Sequence, residues 1–269
     1  MKEYLVKPGS KVDLTARATS DDALFPKESK DTHLDALFTL RERMKVEQHK
    51  LYASGKEKLL VVIQAMDTGG KDGTVRHVFS HVDPAGIRVV SFKKPNEEEL
   101  SHDYLWRIHD KVPASGNIVV FNRSHYEDIV AVNVKKLAPE KVWKKRFRHI
   151  NEFERMLVDE GTRIVKIFLH ISKEEQKERL QKRLDNPDKH WKFNPDDLDD
   201  RARWGEFQKA YEEVLTETST DHAPWYVIPA DRKWYRNLVI AKLIGDELEA
   251  MDSEYPEVDF DPESIVIDD

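Results

Sequence analysis

The sequence predicts an α/β protein in which a five-stranded parallel β-sheet carries helices on both faces. Three observations support this prediction. Five short apolar runs alternate along the chain with stretches of helical periodicity, as expected when each strand returns through a crossover helix. The runs are apolar at nearly every position, which is typical of strands that are buried on both faces. With 39% hydrophobic residues, the chain also has enough apolar material for a sizeable core.

Composition excludes several classes of protein. Among 269 residues there are 51 acidic and 44 basic ones, so the net charge of −7 argues against a protein that coats nucleic acid. The chain contains no cysteine, which excludes disulfides, thiolate metal sites and a thiol nucleophile and suits a reducing cytoplasm. Neither a membrane-spanning run nor a secretory signal is present. We therefore expect a cytoplasmic location and no nucleic-acid or membrane partner, with positive charge concentrated locally if the substrate is anionic.

The first half of the chain follows the alternation after an irregular start. Residues 1–30 show no sustained period and are predicted to form an N-terminal arm. Asn96, followed by Glu99, resembles a capping box and predicts the start of a short helix. The other predicted elements are, in order, a helix at 31–54, a strand at 59–63, a helix with apolar residues at 75–82, and strands at 87–92 and 118–121.

The second half repeats the pattern and adds a polar insert. Its predicted elements are a long helix between Pro139 and Gly161, a strand at 164–169, a helix capped by Ser172 and Glu175, a helix through 204–215, a strand at 225–228 and a helix at 233–251. Residues 31–251 are expected to form one domain. A mobile polar lid is expected at about 180–203, and an acidic tail at 252–269.

The first candidate site is the segment 65–71, between the first strand and the next helix. Gly69 and Gly70 allow several backbone N–H groups to face one anion, and the helix adds its positive end. Lys71 would reach the phosphoryl group. The match to a phosphate-binding loop is imperfect, since an alanine replaces the first glycine and Asp72 stands where Ser or Thr is usual. The alternative is a plain turn with a solvated lysine, and the strand-to-helix context favours phosphate binding.

Two further residues of this region have alternative interpretations. Asp67 lies inside the loop, where a carboxylate beside phosphates is costly unless a cation bridges them. We therefore interpret Asp67 as an anchor for Mg²⁺, with an Asx turn as the alternative. Thr74 could supply a hydroxyl ligand or could be a structural residue of the first helical turn, and the second interpretation is favoured.

The second candidate site is the segment 121–128, where the third strand ends. Ligands of such sheets bind at the carboxyl ends of strands, so this segment should face the first loop. Arg123 offers a planar donor fork for phosphate, and Asp128 offers a carboxylate for a metal or for an attacking oxygen. Ser124 and Glu127 also fit a capping box, which is the favoured interpretation for that pair.

The third candidate site is the basic surroundings of the polar insert. Arg179 and Arg183 lie four residues apart and share a helix face, beside Lys192 in the insert. This arrangement is typical of a lid that closes over a small-molecule kinase site and excludes water. An ordinary solvated helix is the alternative. Lys93 and Lys94, after the second strand, are further candidates for contact with a long anionic substrate.

Four segments together resemble the type-2 polyphosphate kinase family. They are 61–74 (VVIQAMDTGGKDGT), 120–128 (VFNRSHYED), 183–193 (RLDNPDKHWKF) and 223–230 (APWYVIPA). The resemblance extends over about residues 30 to 250 and implies a three-layer α/β/α P-loop kinase fold, related to thymidylate kinase, with a helical lid. It also implies reversible phosphoryl transfer between inorganic polyphosphate and nucleotides, dependent on Mg²⁺ with Mn²⁺ as an alternative.

The resemblance also implies residue roles. Asp67 would hold the metal, Lys71 would bind the transferred phosphoryl group, Arg123 would clamp phosphate, and Asp128 would assist at the metal or at the acceptor. The residues predicted to bind phosphate or substrate are Gly69, Gly70, Asp72, Gly73, Thr74, Lys93, Lys94, Asn122, Glu127, Arg179, Arg183 and Lys192.

Asn122 and the pair Glu127-Asp128 are similar to family members that phosphorylate both AMP and ADP, whereas many ADP-preferring members read Asp-Arg-Ser-Trp-Tyr-Asn-Arg. The expected partners are polyphosphate, AMP, ADP and ATP, with guanine nucleotides left open, and a homodimer or homotetramer. Two alternatives stay open. An ATP-dependent nucleoside or nucleotide monophosphate kinase would have the same fold, and a nucleotide-binding switch or scaffold would have no need of a water-excluding lid.

Overall fold

A five-stranded parallel sheet forms the centre of the described chain. The computed structural model describes residues 1–267. The strands are β1 (Lys58–Ala65), β2 (Ile87–Ser91), β3 (Ile118–Asn122), β4 (Thr162–His170) and β5 (Trp225–Pro229). They lie in the order β2-β3-β1-β4-β5, and every pairing is parallel. All five predicted strands are therefore confirmed, and the carboxyl ends of β1 and β3 are neighbours.

Helices cover both faces of the sheet. Their bounds are α1 (Lys30–Ser54), α2 (Lys71–Val78), α3 (Glu97–Ser101), α4 (Trp106–His109), α5 (Glu127–Val134), α6 (Glu140–Trp143), α7 (Lys145–Asp159), α8 (Lys173–Leu184), α9 (Asp196–Ala202), α10 (Trp204–Thr218) and α11 (Lys233–Glu249). Leu60 and Val62 of β1 face a core formed with α5, α7 and α10. Leu59 and Val61 face the opposite core, formed with α1, α2 and α11. The predicted α/β/α layering is confirmed.

Several predicted element boundaries hold and two do not. Asn96 forms the expected capping box with Glu99, and the Ser172 hydroxyl accepts a hydrogen bond from the Glu175 backbone N–H. The predicted long helix after Pro139 is divided at Lys144 into α6 and α7, where the rings of Trp143 and Phe147 meet edge to face. Helix α2 ends at Val78, earlier than its apolar pattern predicts. The last apolar residues of that pattern lie after the end of the helix and still pack into the core.

The ends of the chain pack against the domain to different extents. Leu5 pairs antiparallel with Tyr226 of β5, and the buried residues Val6 and Leu14 join the core. In the predicted tail, the Ser253 hydroxyl donates to Glu57 and residues 254–267 are exposed. Residues 268–269 of that tail lie outside the described residues.

The predicted lid has local structure but little burial. It comprises the end of α8, a 3₁₀ segment at Pro187–Lys192, and α9. Neither the 3₁₀ segment nor α9 contains a buried residue. Across residues 1–267, helices long and apolar enough to cross a membrane are absent.

Candidate functional site

A basic cleft of about 850 Å³ lies at the carboxyl ends of the strands. Twelve Lys or Arg residues line it against three Asp residues, although the whole chain is acidic. The lining joins the loop after β1, the segment after β2, the end of β3, the helical lid and the start of α11. The cleft therefore has the local concentration of positive charge that an acidic chain needs to bind an anionic substrate.

The loop between β1 and α2 has the geometry of an anion-binding turn. Gly70 lies at φ +100°, and a Cβ atom on Gly69 would come within 2.8 Å of the Met66 carbonyl oxygen. Both positions therefore require glycine. The N-terminus of α2 has no side-chain cap, and its first residues line the cleft. Unpaired N–H groups and the helix dipole at such an end favour an anion.

Lys71 lies at the floor of this loop. Its Nζ donates to the carbonyl oxygens of Ala65 at 3.1 Å and Met66 at 3.4 Å. Burial lowers the pKa of Lys71 to about 8, and the nearby Arg123 charge adds to the effect, while Asp67 opposes it. An ammonium group held only by carbonyl oxygens, and largely removed from water, is well suited to bind an anion.

The two sequence motifs meet through Arg123. Its Nη2 donates to Asp67 Oδ1 at 2.6 Å, although the residues are 56 positions apart. Burial alone would raise the pKa of Asp67, but the charges of Lys71 and Arg123 outweigh it and lower that pKa. A second link connects the motifs, because Asn122 Nδ2 donates to Asp72 Oδ1 at 2.7 Å.

The consecutive acids Glu127 and Asp128 point in different directions, about 100° apart around the first turn of α5. Glu127 lines a small cavity beside the cleft together with Asp67 and Arg123. Burial raises the pKa of Glu127, and the charges of Arg123 and Lys71 act in the opposite direction.

Asp128 lies away from the cleft lining, and its predicted catalytic and metal roles lack support from this placement. Its oxygens are 3.7 Å from Arg107 Nη2 and 3.6 Å from Arg146 Nη1. Burial raises the pKa of Asp128 despite both guanidinium groups. Asp128 therefore lies between cations of α4 and α7, and its predicted catalytic and metal roles stay predictions.

One prediction for these motifs needs correction, and for Thr74 the favoured interpretation fits the structure. The capping box of Ser124 and Glu127 does not form, because the Ser124 hydroxyl accepts from the Tyr126 backbone N–H at 3.2 Å and the N-cap of α5 has no side-chain bond. Thr74 is fully buried and its hydroxyl donates to the Gly70 carbonyl at 3.2 Å. It is therefore a structural residue of the first helical turn, and phosphate contact is not supported.

The basic residues of the lid divide into two kinds. Arg179 is almost fully buried and donates to the carbonyl oxygens of Gly69 at 2.9 Å and Ala230 at 2.6 Å. It therefore connects the loop after β1 to the segment after β5. Arg183 donates to the Lys192 carbonyl at 3.0 Å and to Asp197 at 3.2 Å. Both arginines line the cleft with Lys192, as do Lys93 and Lys94 from the opposite side.

One wall of the cleft was not predicted from the sequence. Arg76 of α2, Lys182 of α8, and Lys233 and Arg236 of α11 all line it. Arg236 is 1% exposed, and its side chain donates to Asn237 Oδ1 at 2.8 Å. Burial lowers its pKa to about 9, and the Arg179 charge adds to this. The signal was available, since these α11 cations follow the carboxyl end of β5, where ligands of such sheets bind.

The donor set near Asp67 fits a divalent cation completed by substrate. Within the described part of the chain, no group of three or more His, Cys, Asp or Glu residues could hold a metal alone. Asp200, which accepts from Lys135 Nζ at 2.8 Å, lines the same small cavity as Asp67 and Glu127. Mg²⁺ commonly binds through one or two carboxylates plus substrate phosphates and water, and carboxylates at this position match that requirement.

Comparisons with known proteins agree with the geometry. The sequence model of the family described as Polyphosphate kinase 2 (PPK2) matches residues 27–256. The AMP/ADP-polyphosphate phosphotransferase of Meiothermus ruber is 53% identical over 268 residues, which cover 100% of both chains. The ADP-polyphosphate phosphotransferase of Rhodopseudomonas palustris is 43% identical, with 95% of this chain and 92% of the relative covered.

A solved structure gives the same result for the fold. The crystal structure of Polyphosphate Kinase 2 from Arthrobacter aurescens TC1 superimposes with a TM-score of 0.92 at 40% sequence identity. The match covers 97% of this chain and 93% of that one. The similarity therefore includes the sheet, both helical layers and the segments that line the cleft.

Proposed function

The chain belongs to the polyphosphate kinase 2 family and is a phosphotransferase, and on this premise we propose that its basic cleft holds inorganic polyphosphate and a nucleotide while a terminal phosphoryl group passes between them. The observation that carries the proposal is the convergence of Lys71, Arg123 and Asp67 on one point of a cleft with twelve basic residues. A polyanion with one negative charge per phosphate matches such a lining.

The chemistry requires positioning more than bond-making groups. Phosphoryl transfer passes through a loose transition state, in which charge is spread over the oxygens of the migrating group. Lys71, the amides at the start of α2 and the Arg123 guanidinium would hold that group in line between donor and acceptor. The attacking atom is a phosphate oxygen that is already ionised near neutral pH, so no general base is needed.

Asp67 would hold the divalent cation, with Asp200 and Glu127 as neighbouring carboxylates. Phosphotransferases generally use such an ion, and Mg²⁺, with Mn²⁺ as an alternative, would neutralise negative charge on phosphate oxygens in this cleft. Asp67 would then exchange its Arg123 partner for the ion, which would leave the guanidinium available for phosphate. Asn122 would orient Asp72 beside the same loop through their 2.7 Å hydrogen bond.

The two walls of the cleft differ in a way that suggests where each substrate lies. The wall formed by α2, α8 and α11 presents Arg76, Lys182, Lys233 and Arg236. A polymer of phosphates without a base needs cations alone, so we assign the polyphosphate chain to this wall. The nucleotide would lie on the side of Ser91–Lys94 and Asn122, where its terminal phosphate faces Arg123.

The acceptor range is proposed to include both AMP and ADP. The full-length relative at 53% identity is named for both nucleotides, and the motif from Asn122 to Asp128 is similar to members with that range. Closure of the lid at about 180–203 would exclude water from the transferred group. Assembly as a homodimer or homotetramer is a further expectation from the family, and light scattering would measure it.

One assay tests the proposal. Purified protein would be incubated with Mg²⁺, long-chain polyphosphate and either ADP or AMP, with no ATP added, and nucleotides would be separated by ion-exchange chromatography. We expect ATP from ADP, and ADP followed by ATP from AMP. Turnover that requires ATP as the donor would instead indicate a nucleotide monophosphate kinase, and binding without turnover would indicate a switch or scaffold.

A further inference from the structure

Four buried side chains behind the turn between β3 and α5 form a hydrogen-bonded group that the proposed mechanism does not use. This buried quartet consists of His125, Tyr126, Glu154 and Lys166, all 0% exposed. Lys166 Nζ donates to Glu154 Oε2 at 2.6 Å and to the Tyr126 hydroxyl at 3.0 Å. That hydroxyl donates to Glu154 Oε1 at 2.7 Å, and His125 Nε2 lies 3.4 Å from the same oxygen.

Stability alone does not account for the quartet. Taking an ammonium and a carboxylate out of water carries a desolvation penalty, and well-packed apolar residues of similar volume are often as stable or more stable. Lys166 also donates to the Thr218 carbonyl at 2.6 Å, so each charged group is satisfied with specific partners. Such groups are directional, whereas apolar contacts are not. The quartet therefore fixes where the backbone of residues 125–126 lies.

That backbone segment adjoins the strained residue of the site. Arg123 lies at φ +63°, in the left-handed region that non-glycine residues rarely adopt. A residue is held there only when its surroundings over-determine the conformation. On one side, the Arg123 N–H donates to the Ile63 carbonyl of β1 at 3.1 Å. On the other side, Ser124 accepts from the Tyr126 N–H, and Tyr126 is anchored by Glu154 and Lys166.

We infer that the buried quartet positions Arg123, because it locks the β3–α5 turn so that the guanidinium points at the loop after β1 rather than into solvent. Lys166 belongs to β4 and Glu154 to α7, so the turn is tied to the sheet and to a helix of one face. The inference rests on the proposed function of the cleft. Glu154, Lys166 and Tyr126 are positioning residues, since they act on substrate only through Arg123.

The test replaces the charges without leaving one of them unpaired. In the double variant Glu154→Leu with Lys166→Met, we expect a Tm close to that of the wild type, because the avoided desolvation penalty is offset by the Tyr126 hydroxyl and the Thr218 carbonyl, which lose their partners. We expect kcat to fall about 10- to 100-fold, since a misplacement of roughly 1 Å costs up to about 100-fold. KM for polyphosphate should change less than about threefold, because the loop after β1, the lid and the wall formed by α2, α8 and α11 are untouched.

A matched control removes an ion pair that is remote from the turn. Arg163 Nη1 lies 3.1 Å from Glu247 and joins the start of β4 to α11. The double variant Arg163→Met with Glu247→Leu should leave kcat within about twofold of the wild type. A kcat within about twofold of the wild type in the folded Glu154→Leu/Lys166→Met variant would overturn the inference.

Two further measurements cover the remaining outcomes. If the double variant does not fold, Tyr126→Phe removes one hydroxyl and keeps the ring, and a lowered kcat at unchanged KM for polyphosphate is expected. An unchanged kcat in the Tyr126→Phe variant would overturn the inference. A crystal structure without substrate, of whichever of the two variants folds, should show Arg123 outside the left-handed region. An Arg123 that keeps its wild-type conformation would overturn the inference, and this holds whether or not the wild type transfers phosphate from polyphosphate. Absence of transfer by the wild type would contradict the proposed function alone.

Discussion

The guanidinium of Arg123 donates to the carboxylate of Asp67 at 2.6 Å, which brings the end of β3 and the loop after β1 into direct contact. Both groups are ones that the proposed reaction needs, the first for phosphate and the second for a cation. In the absence of substrate the two charges neutralise each other, so neither of them is unpaired. Binding of a phosphate together with a divalent ion would separate the pair and give each group its functional partner.

The first prediction concerns Lys71→Ala. Because Lys71 Nζ contacts only two carbonyl oxygens of its own loop, its loss should leave Tm nearly unchanged. Removing one donor aimed at the migrating group should lower kcat about 100- to 1,000-fold. Initial rates with polyphosphate and ADP, together with thermal unfolding, measure both quantities. Lys144→Ala, at an exposed lysine outside the cleft lining, is the control, and equal loss of folding and activity would make Lys71 a structural residue.

The second prediction concerns pH. The pKa of Lys71 is lowered to about 8, so its ammonium loses its proton above that pH in the free enzyme. The value of kcat/KM, which reports the free enzyme, should therefore fall as the pH rises through about 8. Lys71→Arg should move this fall to higher pH, because a guanidinium stays protonated.

The free energy of unfolding should also depend on the protonation of Lys71, but it should rise with pH where kcat/KM falls. The pKa of Lys71 is lower in the folded protein than the ordinary lysine value of 10.5, so the unfolded chain binds more protons between those two values. In that window, this residue makes the free energy of unfolding rise with pH. A loss of kcat/KM that coincides with unfolding would contradict the assignment of the alkaline limb to Lys71.

The fold and the phosphate loop could be predicted from the sequence because both depend on local patterns. Apolar runs identify the strands, and Gly69 and Gly70 mark a turn whatever their surroundings. No local pattern marks the wall of the cleft formed by Arg236, since it adjoins Gly70 only after β5 and α11 have packed, and its one signal in the sequence is that α11 follows the carboxyl end of β5. The roles of Glu127 and Asp128 depend on helix phase, which a one-residue uncertainty in the start of α5 reverses.

The third prediction separates those two acids. Glu127 lies with Asp67 and Arg123, so Glu127→Gln should lower kcat with little change in Tm. Asp128→Asn leaves Arg107 and Arg146 facing a neutral group and should lower stability by about 1–3 kcal/mol, with a smaller effect on kcat. Each variant is the control for the other. A larger kcat loss in Asp128→Asn than in Glu127→Gln would restore the catalytic role expected from the sequence.

The fourth prediction concerns Arg236→Met. Arg236 is a buried guanidinium whose pKa is lowered to about 9, and no carboxylate lies within ion-pair distance of it in residues 1–267. Burial of a cation without a counter-ion destabilises the folded state, so the methionine variant should have the same or a higher Tm. If the polyphosphate chain lies along this wall, KM for polyphosphate should rise about tenfold or more, while KM for ADP should change little.

The KM values of Arg236→Met show which of the two substrates, polyphosphate or the nucleotide, lies along the α11 wall. Arg163→Met, at the opposite end of the sheet, removes a comparable side chain and should change neither KM. Lys233→Ala, at an exposed position of the same wall, should raise KM for polyphosphate by a larger factor at low salt than at high salt, because salt screens the charge that the wild type keeps. A rise in KM for ADP rather than for polyphosphate in Arg236→Met would place the nucleotide on the α11 wall, because the residue that loses contact identifies the substrate it touched.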